Sequence, residues 1–479
     1  MIKKALHCLF QVLFLLVFLF IYLLMIEKMV FTKELFAFFL SFLFFIGLCF
    51  IYRYLDQKHL MPILLVIMTL LLIYCGYSLQ FTPVADLGNL YKMARNFATT
   101  GSMRTIYKGV KMKYYLSIYP NNDCLFLVLA CYFRIIYLIT GIVPTTIAGI
   151  LLNVLVIDSS YYLTYKLTQT LLDEKSAQFV CLLFVLFSPF YFYVTFYYTD
   201  TFAIPLMLLS LYLYLKGGKY NLFTSLLCAF FAYKMKGNML LLVIVMIIYT
   251  ALTKPLKKTI LYTLSSLLIF GALSFGFNSV IYMSHISSKQ LEEQYKMPLN
   301  HWIGMSLIGE GGYRKEDFKE IYHAGNYEQK QKAATKRIQN RLNSYTPFTF
   351  YKHCKDKIMY TWCDGTYFAI NQTYYYPLKH HTIKNPENTI HKFMTSSFYR
   401  NYANMYQCFL LLSFILYVIY KKFSIEPMLL IQGMLLGSVA FFLLWETRSR
   451  YIFSLVPLML IVATNTIKNI TQYIGKSAS

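Results

Sequence analysis

Two aspartates and two arginines stand out in a greasy chain. Asp86 lies in FTPVADLGNLYKMARNFATTG and is the only acid between Phe81 and Asp123. Six basic side chains follow it: Lys92, Arg95, Arg104, Lys108, Lys111 and Lys113. Asp200 closes FYYTD between two apolar runs. An aspartate near membrane depth is costly to keep, which makes it a functional candidate. The plainer alternative for each is a helix cap. Taken together, the two carboxylates could serve as a general base and a group that orients the acceptor, or could hold a divalent cation such as Mg or Mn. Arg448 and Arg450, with Glu446 in WETRSRY, suit bidentate binding of a phosphate. Glu446 and Arg450 could instead pair with each other at i and i+4. Lys236, with Lys234 beside it, adds charge to the same phosphate or snorkels to the surface. Tyr119, Asn121 and Asn122 of YPNND, together with His301, Glu310 and Glu446, could line an acceptor or sugar site. Aromatic clusters of this kind also simply bury themselves. The GEGG at Glu310 lacks a following GK[ST] and a strand-to-helix context, so it is not a nucleotide loop.

The elements that position these residues must be membrane helices. The chain has 479 residues, 58% hydrophobic, 18% aromatic and 14% charged, which is too apolar for a soluble protein of this length. A net charge of +24 would suggest nucleic acid in a soluble chain. Here anionic lipid or phosphate-linked substrates are the expected partners, with no nucleic acid. The fold class is therefore all-α and polytopic. Twelve spans are expected, at 7–25, 34–52, 60–79, 143–165, 177–197, 201–215, 221–235, 239–253, 259–280, 403–420, 428–445 and 451–466. The amino terminus reads as a retained first helix, since it lacks a small-x-small cleavage site.

Basic residues of the short loops set the orientation: Lys3, Lys4, Arg53, Lys58, Lys216, Lys219, Lys254, Lys257, Lys258, Lys421 and Lys422 fall on one side if the helices alternate. That side is the cytoplasm, with both termini in it. The run 124–140 is apolar enough to span, but a crossing there would put Asp200 on the other side from Asp86. It is expected to be in-plane or re-entrant. Leu87, Leu90, Ala94 and Phe97 recur at helical spacing, which predicts a short amphipathic helix in the interface after Asp86. The chain then divides into two N-terminal helices (1–59), a transmembrane core (60–283) with a first outer loop at 80–122, a large extracytoplasmic loop (284–402), and C-terminal helices (403–479). Within the large loop, Phe318 to Asn343 reads as solvated helix. The dispersed cysteines read as core residues, and Cys354 and Cys363 could pair if that loop is outside.

These pieces resemble the GT-C superfamily of membrane glycosyltransferases, and most closely its bacterial members related to protein O-mannosyltransferases. The shared features are an aspartate in the first outer loop, an amphipathic helix after it, a second aspartate further on and a terminal ERxRY-like turn. YPNN, GEGG, WCDG and ETRSRY are similar to a Gram-positive subgroup. The resemblance covers Leu60 to about Thr466. It implies inverting transfer of a sugar from a polyprenyl-phosphate donor to an acceptor outside the plasma membrane, a glycopolymer of the cell envelope or a protein. Asp86 would be the catalytic aspartate and Asp200 the second acidic position, which binds metal in some branches. Arg448 and Arg450 would hold the lipid phosphate. The chain departs from the pattern in having a single Asp86 where O-mannosyltransferases have an acidic pair, and two extra helices before Leu60. Two rivals remain: a polymerase or ligase of polyprenyl-linked polysaccharide, and a transporter or flippase of lipid-linked sugar. The transporter is disfavoured because no inverted halves are visible.

Overall fold

The computed structural model describes residues 2–55, 59–420 and 426–477. Among these it is helical throughout, apart from loops and one isolated bridge between Phe81 and Ile383. The principal helices are α1 (Ile2–Phe31), α2 (Leu35–Tyr54), α3 (Leu60–Ser78), α4 (Ala85–Thr100), α5 (Asp123–Thr140), α6 (Thr146–Leu171), α7 (Glu174–Leu186), α8 (Thr199–Lys216), α9 (Lys219–Met235), α10 (Leu240–Thr253) and α11 (Leu256–Met283). An outer region follows, with α12 (Lys289–Tyr295), α13 (Leu299–Ser306), α14 (Lys315–Tyr322), α15 (Tyr327–Asn343) and α16 (Pro347–Trp362). The chain ends in α17 (Ser397–Tyr420), α18 (Met428–Leu444) and α19 (Val456–Ser477).

Among the described residues, eight helices are long and apolar enough to cross a bilayer, and Gly237–Thr253 and Met428–Leu444 are shorter apolar helices. Nine of the twelve expected spans are among these ten, and Pro120–Thr140 is the other. The expected spans at 177–197, 201–215 and 221–235 are not. They correspond to α7, α8 and α9, which carry buried polar side chains such as Gln178, Asp200, Ser210 and Ser225 and pack inside the bundle. The span at 177–197 is also shorter than expected. Helix α7 stops at Leu186, Phe187 is extended and a single turn restarts at Pro189. Pro189 has no N–H to continue the ladder of α7 and is suited to the first position of a new helix, so the chain breaks there.

Side-chain contacts fix the relative directions of the helices. Tyr161 Oη donates to Met61 O at 2.8 Å, and the amide of Met61 donates to Gln178 Oε1 at 2.7 Å, at the start of α3. At its other end Gly76 lies against Ile150, where a Cβ would come within 2.6 Å of that side chain. Helices α3 and α6 are therefore antiparallel. Gly149 packs flat on the Tyr197 ring, which a Cβ would meet at 2.5 Å, and Asn153 donates to Tyr193 O and Val194 O. The end of α3, the start of α6 and the approach to α8 thus share one end of the bundle. At the other end Tyr52 meets Ser176 and Lys468 pairs with Asp173. Arg53, Lys216, Lys219, Lys254, Lys257 and Lys258 terminate or begin helices at that same other end. Lys58, Lys421 and Lys422 lie outside the described residues.

Helix α5 starts where Asn122 touches Tyr198 and ends five residues before α6. Five residues stretch to about 20 Å, short of the roughly 30 Å of a hydrocarbon core. Both ends of α5 therefore belong to the same end of the bundle, although its length and composition would suffice to cross.

The outer region differs from the expected solvated helix at Phe318 to Asn343. Two helices, α14 and α15, are separated by Gly325 and an Asn326–Gln329 capping box. They enclose a small core of Met297, Met305, Phe318, Ile321 and Ala334 resting on Ile118. Asp317 is bound by Arg341 in a bidentate pair. Cys354 and Cys363 are free. They lie nine residues apart along α16 and its cap, about 13 Å of rise, so they cannot pair.

Candidate functional site

Three stretches far apart in sequence meet at one end of the bundle: the first turn of α4, the approach to α8, and the turn Trp445–Tyr451 between α18 and α19. Helix α4 forms at the amphipathic spacing, burying Leu87, Leu90 and Ala94. Val84 is its N-cap and Asp86 sits inside the first turn, so the carboxylate is not capping the helix.

Asp200, also in a first turn, is buried. Its Oδ1 accepts from Lys236 Nζ at 2.6 Å and its Oδ2 lies 3.4 Å from Arg450 Nε. Arg450 in turn lies over the rings of Phe196, Tyr198 and Tyr451. Both oxygens of Asp200 thus face cations of the protein. A divalent ion shared by Asp86 and Asp200 does not fit this arrangement, because it would have to displace both basic groups. Among the described residues, no three His, Cys, Asp or Glu side chains are grouped to hold a metal. Glu446 accepts from Tyr451 Oη at 2.9 Å, and Arg448 Nε is 4.0 Å from it. The alternative i,i+4 pairing of Glu446 with Arg450 does not form, because Arg450 turns to Asp200. Arg448 stacks over Phe368 at 5.4 Å and Tyr313 at 5.9 Å.

Asp86 is linked to this cluster through a relay. Tyr198 Oη donates to Asn122 Oδ1 at 2.9 Å, Asn122 Nδ2 donates to Tyr115 Oη at 2.7 Å, and Tyr115 hydrogen-bonds Asp86. The residue is exposed to solvent, yet protein crowds it closely enough to disfavour its charge. Asp86 therefore faces a recess in the surface and not the closed core. Burial raises its pKa, against the opposing pull of Tyr115, Arg450 and Arg448. Glu446 is raised in the same way, by burial first and by Asp86 in part. Tyr119, Tyr313 and Tyr376 all feel the charge of Asp86. The recess therefore has an aromatic lining, two carboxylates and a row of cations.

The turn that carries Arg448 and Arg450 is braced by α16. Lys357 Nζ donates to Leu443 O at 2.8 Å, Thr361 Oγ1 meets Thr447 Oγ1 at 2.8 Å, and Ser449 Oγ donates to Asp364 Oδ2 at 2.6 Å. These contacts recur about one turn apart, like rungs. Burial lowers the Lys357 ammonium to about 7. Thr447 N donates to Gly311 O at 2.9 Å, so the GEGG stretch is a strap on this turn. Gly311, at φ 75°, lies against the Lys357 stem, which a Cβ would strike at 2.7 Å. On its other side α16 is held by α1, through Lys355 with Glu27 and Lys28 with Cys363 O.

Of the residues singled out from sequence, the structure brings together Asp86, Asp200, Lys236, Glu446, Arg448, Arg450, Tyr119 and Asn122. Asn121 and Glu310 are exposed and stand apart from the ion pairs. His301 is fully buried in the outer core beside Trp302 and Phe318. Burial and the nearby Arg337 lower it to about 4, so it is a neutral packing residue. Lys234 lies over Phe230 and Phe277, and the partners of Asp200 are Lys236 and Arg450. Sequence reasoning missed Tyr115, Tyr198, Tyr313 and Asp364. The signal for Tyr115 was the density of tyrosine before YPNND, for Tyr198 and Tyr313 their places in FYYTD and GEGGY, and for Asp364 the acid of WCDG.

A family model described as "conserved hypothetical integral membrane protein" matches residues 1–471, and the chain belongs to that family. No curated protein matches the chain.

Proposed function

We propose, taking integral membrane character as the premise, that this protein is a GT-C-like glycosyltransferase of a bacterial plasma membrane. It would move a sugar from a polyprenyl phosphate to a glycopolymer acceptor outside the cell. In this reading α1, α2, α3, α6 to α11 and α17 to α19 make twelve passes, α4 and α5 lie along the outer face, and both termini are cytoplasmic. The single observation that carries the reading is Asp86. It is a carboxylate of raised basicity, open to an aromatic recess and flanked by Arg448 and Arg450.

The chemistry follows from those groups. An acceptor hydroxyl gives its proton to Asp86 as its oxygen bonds to the sugar's anomeric carbon. The bond from that carbon to the phosphate oxygen breaks, and the electron pair leaves with the lipid phosphate. Arg448, whose guanidinium is tied only loosely to Glu446, takes up the developing charge, and Arg450 is held nearby by Asp200. The lipid tail stays among the helices, so no nucleotide site is needed.

The test of function is a comparison of envelope glycans from cells with and without the gene. A glycan substituent that disappears and returns on complementation is expected, and identical glycans would refute the reading. Topology is tested separately. Single cysteines at positions 86 and 121, both exposed, introduced after the ten native cysteines are replaced, are expected to react with an impermeant thiol reagent added to intact cells. Labelling of either one only after the cells are opened would reverse the orientation.

A further inference from the structure

Away from the charged cluster, the outer region holds a recess of about 540 Å³ between α12 and the α14–α15 junction. This size suits a small organic ligand or a few linked units of a chain. Its walls are Gln290, Glu293, Gln294 and His323, with the rings of Tyr295 and Tyr322. The recess is built and rigid. Lys330, almost wholly buried, donates to Gln294 O at 2.6 Å and lies over the Tyr322 ring, tying the two walls together. The Asn326–Gln329 capping box fixes the rim. Tyr295 stacks on Tyr114 at 5.1 Å and Tyr322 on Phe318 at 5.6 Å, so each ring is backed by protein.

The Tyr295 ring, backed by Tyr114, and the rim of Tyr322, held by Phe318 and Lys330, stand among amide, carboxylate and imidazole groups and match the alternating C–H faces and hydroxyls of a sugar chain. Such hydroxyls need partners that both donate and accept, which amides and imidazole supply. Glu293 disfavours an anionic ligand. The recess is also joined to the charged cluster. The Tyr322–Phe318 stack continues to Tyr119, whose ring is stacked on Phe318 at 5.9 Å and which feels the charge of Asp86.

We propose that this recess binds a neutral, hydroxyl-rich oligosaccharide, as a holding site for the acceptor glycan a few ring widths from Asp86. Its role as an acceptor site rests on the transferase reading; the binding does not. The test is titration of the full-length protein in lipid nanodiscs with chitotetraose and with maltotetraose, followed by saturation-transfer NMR. Saturable binding of at least one is expected. Glu293→Ala and His323→Ala, both at exposed positions, should each weaken it about fivefold. Tyr322→Ala should abolish binding, while Tyr322→Phe, which keeps the ring on Phe318, should preserve it. Asp86→Asn should bind as wild type does. Saturable binding by a protein that transfers no sugar would uphold the recess and sink the transferase. Absence of saturable binding by both glycans, or binding indifferent to the Glu293 and His323 changes, overturns the proposal.

Discussion

Asp86→Asn is expected to reduce sugar transfer by 10²- to 10⁴-fold, the range typical for loss of a positioned general base, while leaving the protein inserted and folded. The exchange keeps the side chain's shape and its capacity to accept from Tyr115, so the relay through Asn122 to Tyr198 survives. It removes only the charge that burial disfavours. A carboxyl whose folded pKa is raised destabilises the fold wherever it is ionised; its contribution is most favourable at low pH and is lost as pH rises through the folded value. The neutral variant should accordingly melt at the wild-type temperature or above it near pH 7. Wild-type activity should fall on the acid side with an inflection above the ordinary carboxylate range, because only ionised Asp86 accepts the proton. Transfer by the variant within a few-fold of wild type would remove Asp86 as the base. Lower activity accompanied by a lower melting temperature would make it a structural residue instead.

Much of this site could be read before the structure because charge is expensive in an apolar chain. Asp86, Asp200, Arg448 and Arg450 were conspicuous as exceptions, and exceptions in a membrane protein concentrate where there is work to do. The helical periodicity after Asp86 has a physical reason that survives in α4, which buries Leu87, Leu90 and Ala94 of the expected stripe, half-buries Phe97 and adds Tyr91, Met93 and Ala98. The failures have equally local causes. A hydropathy average cannot see the break at Phe187, since Pro189 is surrounded by aromatic residues that keep the mean high. His301 and Glu310 lie in one glycine-rich, aromatic stretch, PLNHWIGMSLIGEGGY, for which the sequence leaves a site and simple packing both open. Composition carries no information on which side of a wall a residue lies, and His301 turned into the outer core. The partner of each ion was also out of reach. From spacing alone Glu446 and Arg450 should pair, but the 3-10 turn at Ser449–Leu455 points Arg450 at Asp200, 250 positions earlier. The brace from α16 is illegible for the same reason: Lys357 and Thr361 are unremarkable until the end of α18 and the turn after it are laid beside them.

Removing the Asp200 carboxylate separates two roles that the sequence left joined. Both of its oxygens face cations whose side chains are mostly buried, Lys236 and Arg450. Asp200→Ala leaves those cations without their counter-charge, and breaking a buried pair from one side costs about 3–5 kcal/mol because the remaining charge stays desolvated. A clear fall in melting temperature is therefore expected, with loss of transfer. Lys236→Met alone should be milder, because Arg450 still compensates Asp200. The double change Asp200→Ala with Lys236→Met should recover much of the stability lost in Asp200→Ala, since it removes a charge of each sign, and the coupling between the two sites measures the pair. Activity should not return with stability. Arg450 would remain but without the carboxylate that holds it towards the recess, so the field at the leaving phosphate would be lost. Asp200→Ala with an unchanged melting temperature and abolished transfer would contradict this account, placing Asp200 among the reacting groups and not beneath them.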